Sequence, residues 1–136
     1  MYEFVVTCDG GSLGNGSESS QGYGSFMINA PGNVGEIHQL HFGEGVTNNE
    51  AEYRALIGAL SHIADAFLAV AGDLKQIKLI VRTDSSLVIG QLSKEWKVKA
   101  SNLLPLVIQA SNKCHEFHTV TFEQISGIEM KKILGH

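Results

Sequence analysis

The run from Thr47 to Gly72 constrains this chain more than any other stretch. Thr47 followed three positions later by Glu50 is a capping-box pattern, so a helix is expected to open there and to stop near Gly72. Counted from Glu52, Leu56, Ala59, Leu60 and Ile63 fall at i+4, i+7, i+8 and i+11 and form one helical stripe. Glu52 therefore heads the buried face. An ionised carboxylate there is costly unless something positive meets it, and the rest of the chain supplies mainly further carboxylates. A metal ion would resolve the conflict. A helix end near solvent, where Glu52 simply favours the helix dipole, is the competing reading, and this stretch alone leaves both open.

Before that helix the pattern is strand-like. Phe4, Val5, Val6 and Thr7 read as a short strand over Glu3 to Cys8, ended by Asp9-Gly10-Gly11. Gly10 to Gln21, rich in Gly and Ser with Asn15-Gly16 inside it, reads as a turn or loop. Gly22 to Ile28 is a second strand, Pro31-Gly32-Asn33 a turn, and Gly35 to Phe42 a less regular third strand. Connections this short imply an antiparallel meander.

After the helix, Ile77 to Asp84 carries the near-continuous apolar run Leu79-Ile80-Val81, as expected of an interior strand covered on both faces. It too ends at an aspartate. Ser85 to Leu92 follows with helix-starting hydroxyls, Asn102 to Phe117 looks helical with Leu103, Leu106, Val107 and Ala110 on one face, and Thr119 to Ile125 reads as a last strand. The alternation makes the first strand and the Leu79 strand candidate parallel neighbours at the sheet centre. Asp9 and Asp84 then lie at the same carboxyl edge, where open α/β sheets place their ligands, and the start of the Glu52 helix can reach that rim.

With 136 residues and 43% hydrophobic content, the chain fits a single domain over residues 1–136 with a real core. No basic region followed by an apolar stretch opens it and no run approaches membrane-spanning length, so a soluble cytoplasmic protein without a membrane partner is expected. Cys8 and Cys114 make neither a disulfide framework nor a metal cluster and read as buried free thiols. A net charge of −4 argues against a general electrostatic grip on nucleic acid. That objection weakens if Asp9, Glu52 and Asp84 are grouped at a cation site, because the remaining surface is then close to neutral.

Hard oxygen ligands from separate elements suit Mg²⁺ or Mn²⁺. Two such ions about 3.5–4 Å apart can activate a water and stabilise the departing oxygen in phosphodiester cleavage. Taken singly, Asp9 is a turn-former and Asp84 a helix cap. Two carboxylates at strand ends and one heading a core-facing stripe are harder to dismiss together.

At this point the chain resembles the type 1 ribonucleases H. Thr7-Cys8-Asp9-Gly10-Gly11 with Asn15-Gly16 and Gly22-Tyr23-Gly24 is similar to that family's first-strand segment. Thr47 to Tyr53 resembles its helix-entry segment, and Thr83 to Ile89 through Trp96-Lys97-Val98-Lys99 resembles members lacking the basic protrusion. The resemblance implies an α/β fold: a mixed five-stranded sheet, its first three strands antiparallel and the later ones parallel to the first, flanked by helices. It implies hydrolysis of the RNA strand of RNA/DNA hybrids with two Mg²⁺ or Mn²⁺ ions on Asp9, Glu52 and Asp84. Asn15, Asn48, Asn49 and Ser86 fall where the family touches the hybrid's minor groove, and Thr47 where it contacts a DNA-strand phosphate. A monomer is expected.

One feature departs from the family, whose fourth carboxylate lies just beyond the last strand. Laid without gaps, Ile125 to Leu134 puts Leu134 at that position, and the C-terminal segment is short relative to the family. Either the ligand lies past His136, or His136 or Glu129 stands in for it, or the second metal site is weak. The last case gives the alternative function, a catalytically weak or silent hybrid-binding module. A junction resolvase on the same fold is disfavoured because nothing indicates the dimer that a symmetric junction calls for. The family's flexible-loop histidine has no match either, since Ile128 follows Ser126-Gly127.

Overall fold

The computed structural model describes residues 1–15, 17–94 and 96–135. Three strands, β1 (Tyr2–Leu13), β2 (Gln21–Asn29) and β3 (Ile37–Glu44), form the antiparallel meander. Helix α1 (Asn48–Ala69) crosses to β4 (Ile77–Thr83), α2 (Ser86–Ser93) and α3 (Leu104–Cys114) cross to β5 (Thr119–Gln124), and α4 (Gly127–Leu134) follows. The sheet order is β3-β2-β1-β4-β5, with β1–β4 and β4–β5 parallel, which is the mixed arrangement expected from the sequence.

Helix α1 forms where the capping box places it. The Thr47 hydroxyl accepts from Glu50 N at 3.2 Å, and the Glu50 carboxylate accepts from Thr47 N at 2.9 Å. These bonds satisfy two of the donors that a helix start leaves open. The stripe Leu56, Ala59, Leu60 and Ile63 is buried against Val6, Cys8 and Phe26 of the sheet and Leu79 and Val81 of β4. Fully burying each of the leucine and isoleucine side chains is worth roughly 1.5–3 kcal/mol. The helix stops three residues before Gly72: Ala71 takes a left-handed φ of 59°, and Gly72 N donates back to Phe67 O at 2.9 Å. A side chain at Gly72 would strike the Phe67 ring, which fixes the stopping point.

Three elements differ from the sequence reading. Strand β1 does not end at Asp9-Gly10-Gly11 but continues to Leu13, pairing Gly10 with Gly24 and Gly11 with Tyr23. The physical reason is close approach: a Cβ on Gly10 would lie 2.3 Å from the Ala51 carbonyl carbon, so α1 rests directly on this strand. The glycines admit a helix rather than make a turn. Strand β4 is not covered evenly on both faces. Its Leu79 and Val81 enter the main core, whereas Lys78 is exposed and Arg82 half-buried on the other side. Helix α4 shields only part of that second face, through Met130 and Leu134 packed with Ile125 and against Met27. Alternation along β2 explains the division, since Phe26 joins the main core while Met27 points the opposite way. Helix α3 also begins later than expected, at Leu104, with Leu103 buried just ahead of it.

Candidate metal centre and nucleic-acid interface

The parallel ladder between β1 and β4 ends at Thr7 and Arg82, and beyond it the two strands part. Asp9 lies just past that point on β1, still paired with Ser25 of β2, and Asp84 follows the last residue of β4. Glu52 comes down onto the same rim from the first turns of α1, because the glycine contact brings Ala51 and Glu52 against β1. Carboxylate oxygens of Asp9, Glu52 and Asp84 all lie within 4.8 Å of one another, and all three residues are half-buried.

The local hydrogen bonds dispose of two bland readings. Ser85, not Asp84, caps α2, its hydroxyl accepting from Val88 N at 3.2 Å. Glu50, not Glu52, serves the start of α1. Glu52 instead faces two further carboxylates, and the cost is visible in its proton affinity. Burial first, then the charges of Asp9 and Asp84, push its carboxyl up to about 9, against a hydrogen bond from the Gly10 backbone that lowers it. Three crowded carboxylates form a hard, oxygen-only donor set suited to Mg²⁺ or Mn²⁺. The residues present fit such an ion. The buried Cys8 thiol on the same strand is pushed up by its own burial and then by the same acidic charges, which keeps it protonated.

Beside the centre, the β1–β2 turn is tied to the start of α1. Asn48 Oδ1 accepts from Ser12 N at 2.7 Å, and Asn15 Oδ1 accepts from Asn48 N at 2.9 Å. Because both partners are backbone N–H donors, the amide oxygens are assigned without ambiguity. The amide NH₂ groups of exposed Asn15 and Asn48 therefore remain as donors. Asn49 is exposed next to them, Ser86 is exposed at the first residue of α2, and Thr47 is held in the capping box. The sequence reading took Gly10 for a turn residue and Ser85 for one of several helix-starting hydroxyls, and it passed over Ser12, whose backbone N–H carries no signal in sequence.

The C-terminal candidates fare differently. His136 lies outside the described residues. Glu129 is turned away from the centre: Arg82 Nη2 holds its carboxylate at 3.4 Å and that of Glu123 at 3.5 Å. Leu134 is buried with Ile125 and Met130, so it packs rather than ligates. Among the described residues Asp9, Glu52 and Asp84 are the one group of three or more His, Cys, Asp or Glu side chains close enough to share an ion. The first turn of α4 nevertheless borders them, since a Cβ on Gly127 would lie 3.8 Å from Asp84 Oδ2.

A mixed sheet in this strand order, flanked by four helices, is the ribonuclease H fold. The chain belongs to the family described as reverse transcriptase-like, which it matches over residues 7–127. It is 34% identical over 121 residues to the bifunctional protein Rv2228c of Mycobacterium tuberculosis, covering 89% of this chain and 30% of that protein. It is 26% identical over 144 residues to ribonuclease H of Saccharomyces cerevisiae, covering 96% of this chain and 40% of that one. Among solved structures it is similar to LC11-RNase H1 in complex with an RNA/DNA hybrid, at a TM-score of 0.78 and 28% identity, covering 95% of this chain and 89% of that one. The chain thus spans well under half the length of these curated relatives.

Proposed function

We propose that the chain is a divalent-metal-dependent endoribonuclease that hydrolyses the RNA strand of RNA/DNA hybrids by a two-metal mechanism, acting as a monomer. The observation that carries this reading is the convergence of Asp9, Glu52 and Asp84 within 4.8 Å at the open end of the parallel ladder. The similarity to a ribonuclease H1 solved with a hybrid supports the substrate class. Bound divalent ions would supply an activated water and neutralise the departing oxygen.

The protein's own part is positioning. Asp9 is fixed by its pairing with β2, Asp84 by the capped start of α2, and Glu52 by the capping box and the glycine contact. Asn15 and Asn48 present amide donors suited to the 2′-hydroxyls and base acceptors of a minor groove, with Asn49 and Ser86 alongside and Thr47 toward a DNA-strand phosphate. Readout by neutral donors fits a chain whose net charge is −4.

Digestion of a hybrid with Mg²⁺ or Mn²⁺ tests the reading. Products are expected from the hybrid and not from double-stranded DNA, and cleavage in Asp9→Asn should fall by at least ~100-fold, given the several kcal/mol that Lewis-acid stabilisation supplies. Absence of cleavage with either ion would overturn it. The burial of Leu134 where a fourth carboxylate was sought favours a second reading, a hybrid-binding module without turnover. Tight hybrid binding with no products in excess Mn²⁺ would select that one.

A further inference from the structure

His38 on β3 and His62 in the second half of α1 meet well away from the acidic centre. Their ring centres are 4.6 Å apart with planes tilted by 52°. Phe26 stacks on His38 at 4.7 Å and 12°, holding that imidazole in place from behind. His38 is half-buried and His62 exposed, and neither makes a hydrogen bond to any described residue. Both open onto a cavity of about 320 Å³ bordered by Phe4, Asn33, Ala66 and Phe67. His62 lies ten positions beyond Glu52, about 15 Å along the helix at 1.5 Å per residue.

An imidazole whose ring nitrogens lack protein partners offers a lone pair to whatever enters. Two imidazoles bound to one ion at about 2.0–2.1 Å each bring their ring centres to roughly 4.5–5 Å, the separation found here. We propose that His38 and His62 form a two-imidazole site for a late first-row divalent cation such as Ni²⁺, Cu²⁺ or Zn²⁺, separate from the acidic centre. No third His, Cys, Asp or Glu among the described residues joins the pair at ligating distance, so water fills the remaining positions. Imidazole selects these borderline cations over Mg²⁺, whereas the carboxylate cluster prefers the hard ones. The chain then carries two metal sites of opposite preference on one helix. An ion bridging β3 and α1 would also clamp the edge strand of the sheet to the helix beneath it.

Calorimetric titration of the untagged protein with Ni²⁺, in millimolar Mg²⁺ to occupy the acidic centre, tests the site without reference to nuclease activity. One Ni²⁺ per chain is expected, with a rise in Tm at saturation. His62→Gln, at an exposed position where folding is not at stake, should weaken binding at least tenfold, and Asp9→Asn should leave it unchanged. Weakening by less than tenfold in His62→Gln, or loss of binding in Asp9→Asn, would overturn the proposal. Neither result bears on whether hybrids are cleaved.

Discussion

Burial and two neighbouring carboxylates hold the Glu52 proton to about pH 9, against an ordinary value of 4.5. The folded chain therefore keeps a proton that the unfolded chain gives up. The contribution of Glu52 to stability is fully present below 4.5 and is lost as pH rises through about 9. In divalent-free buffer Glu52→Gln should accordingly be more stable than the parent at pH 8, with the gain shrinking toward zero by pH 4. Thermal melts of the two proteins across that range check it, and a gain that grows on acidification would refute the assignment. The same proton must leave when a divalent ion binds. Legibility at this scale was uneven. The identities of Asp9, Glu52 and Asp84 could be read because each sits at a boundary between local patterns. The bonds of Asn15 and Asn48 to backbone across the β1–β2 turn could not, since any exposed asparagine looks the same in sequence.

At the scale of elements, the decisive contact is α1 on β1. Asp-Gly-Gly reads as a turn because glycine is the usual turn former, and the same residue type is also the one that lets two backbones touch. Gly10→Ala discriminates between these roles. If Gly10 were a turn residue at negative φ, alanine would be tolerated. With Ala51 backbone atoms 2.3 Å from the new Cβ, the substitution must instead push α1 off the strand. We expect a loss of about 1–3 kcal/mol in urea unfolding, as for overpacking elsewhere, and a weaker divalent-ion affinity because Glu52 moves with the helix. Unaltered stability together with unaltered affinity would show that the contact is looser than described. The capping box, by contrast, was fully legible, because its two hydrogen bonds join residues three apart.

For the whole molecule, the three carboxylates come from β1, α1 and β4, positions separated by long stretches of chain that the unfolded state does not bring together. A ligand that binds only the native state raises stability by RT ln(1 + [L]/Kd), about 2.7 kcal/mol at roughly a hundred times Kd. Mg²⁺ should therefore raise the Tm of the whole domain by several degrees, and Asp9→Asn should abolish the rise. Equal shifts in both proteins would place the bound ions elsewhere.

Local order determined much of this protein: the capped helix, the meander and the strand–helix alternation follow from patterns only a few positions long. Tertiary structure alone decided which ambiguous residues took which role. It turned Glu129 to Arg82, buried Leu134 among apolar neighbours, carried β1 through its glycines beneath α1 and set His38 beside His62. The reason is range. Capping and periodicity act between residues a turn apart and are written in the sequence, whereas steric exclusion and charge crowding act between residues that meet only after the chain has closed on itself.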